Sequence, residues 1–121
     1  MRYLCQKWLK ESALYLFRKD TCKLVKQHLN NNDDMLLVSA SVDCLVAVIA
    51  QYLGFKEFIA TPLQCYQDRY TGFIQGEFIY GEQKKYVCEQ RFGALLKTAK
   101  SYADHPSDRY LMESVKYPVW V

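Results

Sequence analysis

The stretch Leu36 to Phe55, LLVSASVDCLVAVIAQYLGF, contains the pattern that decides the fold. It predicts a buried strand over residues 35–38, followed by a tight turn at Ser39-Ala40-Ser41. An almost wholly apolar helix over residues 42–53 comes next and is ended by Gly54. The first amides of a helix have no partner within it, and the helix dipole is positive at that end. A strand that ends in small hydroxyl residues and opens a helix is therefore a candidate anion site.

The segments on either side of this stretch predict alternating helices and strands. Residues 1–29 have helical periodicity, and Asp20 or Thr21 is a candidate cap for a second helix within them. A short strand at 58–61, closed by Pro62, completes a βαβ unit with an expected right-handed crossover. The later segments predict, in order, a β-hairpin over 66–80, helices over 83–92 and 94–100, a strand at 101–103, a helix over 107–114 and a strand from Pro118 onward.

Apolar residues of the first segment fall on two neighbouring helical stripes. One stripe carries Leu4, Trp8 and Tyr15, and the other carries Leu9, Ala13, Leu16 and Phe17. Apolar residues spaced in this way predict the face of a helix that packs on a core.

Composition limits the class of protein. The chain has 121 residues and half of them are hydrophobic, so we expect one domain with a core rather than a disordered chain. The net charge of +3 is small, and the basic residues between Lys7 and Lys26 alternate with apolar ones. That pattern is typical of a solvated helix face and argues against nucleic-acid binding. The longest apolar run is about a dozen residues, whereas a membrane span needs about 20.

The cysteines indicate a reducing environment. The five of them form no Cys-x-x-Cys pair, and their number is odd. No apolar signal-peptide segment occurs near Met1. We therefore expect reduced thiols that serve as small core residues, and a cytoplasmic location. A structural zinc site is not expected, because only His28 and His105 could join the cysteines.

Two positions have the chemistry of a phosphate site. The hydroxyl of Ser39 and the amides that follow it suit one phosphate, although most serines in such turns are only turn or cap residues. Lys84 stands at the start of a predicted helix, where its charge opposes the dipole unless it faces an anion. The alternative is an ordinary surface lysine beside Lys85.

Asp104 and Asp108 form a third candidate group, where a predicted strand turns into a helix. Their carboxylates are four residues apart in sequence, and both can reach one hard cation such as Mg²⁺. The alternatives are an aspartate cap of the helix and an exposed acidic turn. His105, between them, is interpreted as an exposed turn residue rather than a ligand or an acid.

The order of these groups resembles the haloacid dehalogenase (HAD) superfamily, and within it the phosphoserine-phosphatase-like subfamily IB. The matching segments are VSASVDCLVAVIAQYLGF, FIATPL, RYTGFIQG, YGEQK and YADHPSDRYLMESVKYPVWV. Each is weakly specific by itself, but five in the family's order rarely arise by chance. The resemblance implies an α/β fold, namely an incomplete Rossmann-like three-layer HAD core with a parallel sheet flanked by helices and a β-hairpin. Residues 1–17 would be a helix derived from the family's cap, and residues 18–121 the C-terminal part of the core, within one partial domain.

The resemblance also implies roles for the candidate residues. Enzymes of this family hydrolyse phosphomonoesters with Mg²⁺ through a phospho-aspartate intermediate. Ser39 and the Ala40 amide match the phosphate-binding residues of the second motif, and Lys84 matches the third-motif lysine that neutralises the phosphate and the nucleophile. Asp104 matches the metal ligand of the fourth motif. Asp108 matches its second acid, which ligates the metal through water or positions the lysine.

One family motif has no match here. The first motif, Asp-x-Asp-x-Thr, supplies the nucleophile, and it does not occur in this sequence. The resemblance therefore predicts the C-terminal portion of a phosphatase, truncated and inactive alone. Its partners would be a phosphorylated small molecule and either an N-terminal complementary chain or a second copy of itself. The strands of Ser39 and Asp104 would flank a missing central strand, a gap of about 10 Å. The alternative function is a non-catalytic remnant or a module that binds phosphate or a partner.

Overall fold

The computed structural model describes residues 2–12 and 16–121. The helices are α1 (Arg2–Glu11), α2 (Lys19–Asn30), α3 (Asp43–Leu53), α4 (Glu82–Phe92) and α5 (Arg109–Met112). The strands are β1 (Leu36–Val42), β2 (Glu57–Thr61), β3 (Leu63–Tyr66), β4 (Arg69–Ile74), β5 (Lys100–Ala103) and β6 (Tyr117–Trp120). The 3₁₀ helices Gly93–Thr98 and Pro106–Asp108 precede β5 and α5. Among the described residues, no helix has the length and apolar character that crossing a membrane requires.

The chain divides into two compact units, the first ending at Gly76 and the second beginning at Glu77. The first contains the predicted βαβ unit, because β1 and β2 are parallel and α3 connects them. Gly54 ends α3 with a φ of 90°, a left-handed conformation that glycine adopts at little cost. The predicted strand, helix and glycine stop are therefore confirmed, and the helix starts within one residue of its expected position, but the strand ends four residues later than predicted, at Val42.

The predicted turn at Ser39-Ala40-Ser41 is wrong, because these residues belong to β1. Val38 pairs with Ile59, and Val42 pairs with Thr61. Residues 39, 40 and 41 of β1 thus lie opposite residue 60 of β2, which leaves β1 with two more residues than its partner. The extra residues form a bulge in the strand pair, and the chain enters α3 from the end of that bulge.

Helix α1 packs on α3 through a face that matches the predicted stripes only in part. Cys5 and Leu9 are buried with Val48, whereas Leu4 and Trp8 are 59% and 38% exposed. The other predicted stripe is partly confirmed by Leu9 and by Phe17, which packs against the same core, but Leu16 is exposed. Ala13 and Tyr15 lie outside the described residues.

Helix α2 begins at Lys19, so neither Asp20 nor Thr21 is its cap. The Asp20 carboxylate instead accepts a hydrogen bond from the Thr21 N–H over 2.9 Å and pairs with Arg18 over 2.9 Å. A carboxylate in the first turn interacts favourably with the helix dipole, which explains why Asp20 lies one residue inside the helix.

The β-hairpin is formed by β3 and β4, so it starts three residues before the predicted start at 66 and ends six residues before the predicted end at 80. Its turn is at Gln67 and Asp68, which have φ values of 50° and 64°. The alternating segment contains Gly72 and Gly76, but neither of them forms the turn, so the predicted hairpin lies too late in the sequence. Asp tolerates the left-handed region better than most residues, which explains how a turn forms here without glycine.

The second unit contains the parallel pair β5 and β6, with α4 and α5. Gly93 ends α4 as predicted, with a φ of 54°. The two predicted helices that follow are shorter than expected, because residues 93–98 are 3₁₀ and the segment from Pro106 is a 3₁₀ turn leading into α5. The buried apolar residues of this unit are Ile79, Cys88, Leu96, Leu111 and Met112. Parallel strand pairs and helices along the described chain confirm the α/β class.

The burial of Met112 gives a test of this core. Its side chain is 2% exposed, so we expect Met112→Ala to lower the free energy of unfolding by about 2–5 kcal/mol. Leu95 in the same unit is 69% exposed, and Leu95→Ala should change that free energy by no more than about 0.5 kcal/mol. Urea denaturation followed by circular dichroism measures both, and equal losses would contradict the described core.

Candidate functional site

Ser39 and Ala40 lie in the bulge of β1, where hydrogen bonds hold them from two directions. The Ser41 N–H donates to Ser39 Oγ over 3.1 Å. The Thr61 hydroxyl, at the end of β2, donates to the Ala40 carbonyl over 2.8 Å. Ser39 and Ala40 are both half-buried, while Thr61 is 1% exposed. The bulge is therefore an ordered part of the first unit.

The start of α3 already has an anion of its own. Asp43, the first residue of the helix, accepts a hydrogen bond from the Cys44 N–H over 2.7 Å. Its other carboxylate oxygen accepts a longer one from the Leu63 N–H over 3.4 Å. The Cys44 N–H, one of the helix amides predicted to bind an anion, is thus already hydrogen-bonded to a side chain. The donors that remain for the predicted anion site are therefore chiefly those of the bulge.

Lys84 and Asp108 form an ion pair in the second unit. Lys84 lies in the first turn of α4, and its Nζ is 2.7 Å from Oδ1 of Asp108, which ends the 3₁₀ helix Pro106–Asp108. The two side chains are only 12% and 15% exposed. Separating a pair that is so little exposed is unfavourable, because each partner would then be an uncompensated charge largely shielded from water.

Lys85 shows what an ordinary surface lysine looks like on the same helix. Its Nζ lies 3.9 Å from Glu89, and its side chain is 39% exposed. The interpretation of Lys84 as an ordinary surface lysine beside Lys85 is therefore wrong.

Asp104 and His105 occupy the turn after β5, and both are exposed. His105 Nδ1 accepts a hydrogen bond from the Ser107 N–H over 3.1 Å and lies 2.8 Å from Ser107 Oγ. His105 therefore caps the 3₁₀ helix, a use that fits the predicted turn residue. Asp108 precedes α5 but makes no capping hydrogen bond with its side chain, so the interpretation of Asp108 as a helix cap is not supported.

The donor set of Asp104 and Asp108 fits Mg²⁺. This ion takes oxygen ligands, usually one or two carboxylates with water and phosphate oxygens completing the shell. Lys84 contacts Oδ1 of Asp108, and a carboxylate has a second oxygen for a metal or its water. In the part of the chain that the structure describes, no group of three or more His, Cys, Asp or Glu could hold a metal. Water, phosphate or groups outside the described residues would supply the remaining ligands.

Sequence reasoning missed Thr61 and Asp43. Asp43 was counted only as part of an apolar helix, although an acidic residue in the first helical turn is a known partner for free amides. For Thr61 the signal was a hydroxyl at the end of a buried strand, because a buried hydroxyl needs a hydrogen-bond partner.

A double-mutant cycle tests the strength of the Lys84–Asp108 pair. We expect Lys84→Met and Asp108→Asn each to lower the free energy of unfolding by about 2–4 kcal/mol, since each leaves its partner unpaired. The double variant should lose less than the sum, with a coupling of about 1–3 kcal/mol. The matched cycle on Lys85 and Glu89 should give no more than about 0.5 kcal/mol, because that pair is exposed. Chemical denaturation measures all six variants, and additive losses at Lys84 and Asp108 would contradict a coupled pair.

Comparison with known proteins gives the family. Residues 2–113 match the family described as haloacid dehalogenase-like hydrolase. Two proteins of Mycobacterium tuberculosis, the putative hydrolase MT0526 and the phosphoserine phosphatase SerB1, are each 29% identical over 91 residues. That alignment covers 73% of this chain and 30% of each relative. The chain thus corresponds to less than a third of the length of these relatives.

Solved structures agree on the fold. A protein of unknown function from Bordetella pertussis Tohama I superposes with a TM-score of 0.86 at 25% identity, over 96% of this chain and 55% of that one. A phosphoserine phosphatase solved as a phospho-aspartyl intermediate analogue gives 0.65 at 20% identity, over 82% of this chain and 49% of that one. The chain spans about half of each of these neighbours, and the predicted resemblance is confirmed. With nearly its whole length matched, the chain belongs to the haloacid dehalogenase-like hydrolase family.

Proposed function

We propose that this chain supplies the phosphate-binding and metal-binding residues of a phosphomonoester phosphatase that uses Mg²⁺ and a phospho-aspartate intermediate. The family match and the similarity to the phosphoserine phosphatase SerB1 support the hydrolase class. The observation that carries the proposal is the Lys84–Asp108 pair, 2.7 Å apart and largely shielded from water. The pair fixes the ammonium of Lys84 at the start of α4, and an ammonium group is a suitable partner for a phosphate oxygen.

Each candidate residue has a role in this proposal. The Ser39 hydroxyl and the Ala40 N–H donate hydrogen bonds to oxygens of the phosphoryl group. The role of Lys84 is to offset phosphate charge, and Asp108 keeps its ammonium in place before the substrate arrives. Phosphoryl transfer demands positioning and positive charge around the equatorial oxygens, and little covalent chemistry from the protein. Groups that are already in place need no reorganisation during the reaction, and this makes their electrostatic stabilisation of the transition state strong.

Asp104 and Asp108 are the residues that would hold Mg²⁺. When bound, the ion would offset the charge of the phosphate and orient its oxygens. Asp108 would then serve both Lys84 and the metal, one carboxylate oxygen for each, either directly or through water. Its low exposure of 15% keeps this carboxylate in one orientation for both tasks.

The nucleophile of this proposal lies outside the 121 residues. The sequence has no Asp-x-Asp-x-Thr, so a segment with that motif, whether of the same protein or of a complementary chain, would supply the attacking carboxylate and the general acid. The substrate would be a phosphorylated small molecule. A cytoplasmic location is part of the proposal, and the five free cysteines support it.

Reconstitution tests the proposal. The full chain is mixed with an HAD segment that carries Asp-x-Asp-x-Thr, and hydrolysis of p-nitrophenyl phosphate is followed with Mg²⁺ or with EDTA. We expect activity only with the added segment and Mg²⁺. Lys84→Ala and Asp104→Asn should each lower kcat/KM by about 100-fold or more, because each removes charge stabilisation from the transition state.

Lys85→Ala is the matched control, since it removes an exposed lysine one residue away. It should leave kcat/KM within about twofold of the unsubstituted chain. Equal losses for Lys84→Ala and Lys85→Ala would argue against the proposed role of Lys84. Phosphate binding without turnover in any mixture would instead favour the alternative, a non-catalytic phosphate-binding module.

A further inference from the structure

The buried hydroxyl of Thr61 contacts the bulge that is proposed to bind phosphate. We propose that Thr61 is a positioning residue, which orients the Ser39 hydroxyl as a hydrogen-bond donor through the peptide group between Ala40 and Ser41. The inference rests on the proposed function of Ser39 and Ala40 and adds a residue that acts on them without touching the substrate.

The peptide group between Ala40 and Ser41 is held at both of its polar ends. Its carbonyl, that of Ala40, accepts from Thr61 Oγ1 over 2.8 Å. Its N–H, that of Ser41, donates to Ser39 Oγ over 3.1 Å. A trans peptide is planar with its C=O and N–H on opposite sides, so fixing the carbonyl also fixes the direction of the N–H. Thr61 therefore determines from which side Ser39 Oγ receives its hydrogen bond.

This arrangement leaves the Ser39 hydroxyl with a defined task. A serine hydroxyl has one donor proton and two acceptor lone pairs. Because the Ser41 N–H occupies an acceptor position, the remaining O–H is left to donate, and a phosphate oxygen is an acceptor. Hydrogen bonds linked in series polarise one another, so the bond from Thr61 strengthens the next one and makes the Ser39 proton a better donor.

The register of the strands explains why a side chain is needed here. Val38 pairs with Ile59 and Val42 with Thr61, so the intervening residues of β1 exceed those of β2 by two. A bulge removes peptide groups from the ladder, and these groups then need other partners. At Ala40 the Thr61 hydroxyl takes the place of a backbone donor.

The segment after Thr61 fixes the hydroxyl in turn. The Pro62 carbonyl accepts from the Gln75 N–H over 2.8 Å, and the Leu63 N–H donates to Asp43. Thr61 is itself 1% exposed, so water does not compete for its hydroxyl. Both sides of the bulge are thus tied to one short segment, Thr61 to Leu63.

Titration of inorganic phosphate into the full chain tests the inference. The chemical shifts of the Ser39, Ala40 and Ser41 amides report the dissociation constant in each variant. Thr61→Val removes the hydroxyl and keeps the shape, and should weaken phosphate binding about tenfold, the effect of one lost hydrogen bond. Thr61→Ser restores the hydroxyl and should bind within about twofold of the unsubstituted chain. If Thr61 had only a structural role, the dissociation constant would not rise in Thr61→Val and return in Thr61→Ser.

Thr71→Val is the matched control, because it removes a hydroxyl that donates to Gln64 Oε1 over 2.8 Å in the hairpin of the same unit. It should leave phosphate binding unchanged. If Thr61→Val does not fold, Thr61→Cys replaces it, since a thiol is a weak donor, and should bind less tightly than Thr61→Ser. Equal dissociation constants for Thr61→Ser and the hydroxyl-free variant overturn the role of Thr61 alone. An unsubstituted chain whose bulge amides do not respond to phosphate overturns the proposed function as well.

Discussion

The register of β1 against β2 is the constraint on which the first unit depends. A strand pair accommodates extra residues only by removing peptide groups from the ladder, and buried peptide groups need new partners. Here the displaced peptide lies between Ala40 and Ser41, and the hydroxyls of Thr61 and Ser39 provide those partners. The residues that complete the strand pair are also those proposed to contact phosphate. Folding of the bulge therefore also positions the donors of the proposed site.

In the second unit the main constraint is the burial of a charged group, the ammonium of Lys84. An ammonium group that is 12% exposed is costly to bury alone, and Asp108 offsets that cost at 2.7 Å. The pair also restricts both side chains, so Lys84 cannot extend into solvent as Lys85 does. An ordered ion pair without net charge is a suitable resting state for the proposed site, in which an anion would bind beside the lysine and a cation beside the carboxylate.

The sequence predicted features that depend on local pattern. A largely apolar stretch with Gly54 at its end indicates the strand, the helix and its stop, and a lysine at a helix start is conspicuous because its charge opposes the dipole. The bulge could not be predicted, because register depends on how two segments pair across the intervening helix. The turn at Gln67 and Asp68 was missed for a related reason. Strand pairing fixed its position, and Asp accepted a conformation for which the sequence pattern expected glycine.

The position of Asp43 changes how phosphate binding should be understood. A helix N-terminus attracts anions through its free amides and positive dipole, but Asp43 already satisfies an amide there and brings a negative charge to the same end. A second anion at that point would be repelled rather than bound. In the proposed phosphate site, attraction would then come from donors in the bulge, chiefly the Ser39 hydroxyl. The dipole of α3, which marked this stretch in the sequence, would add little to that attraction.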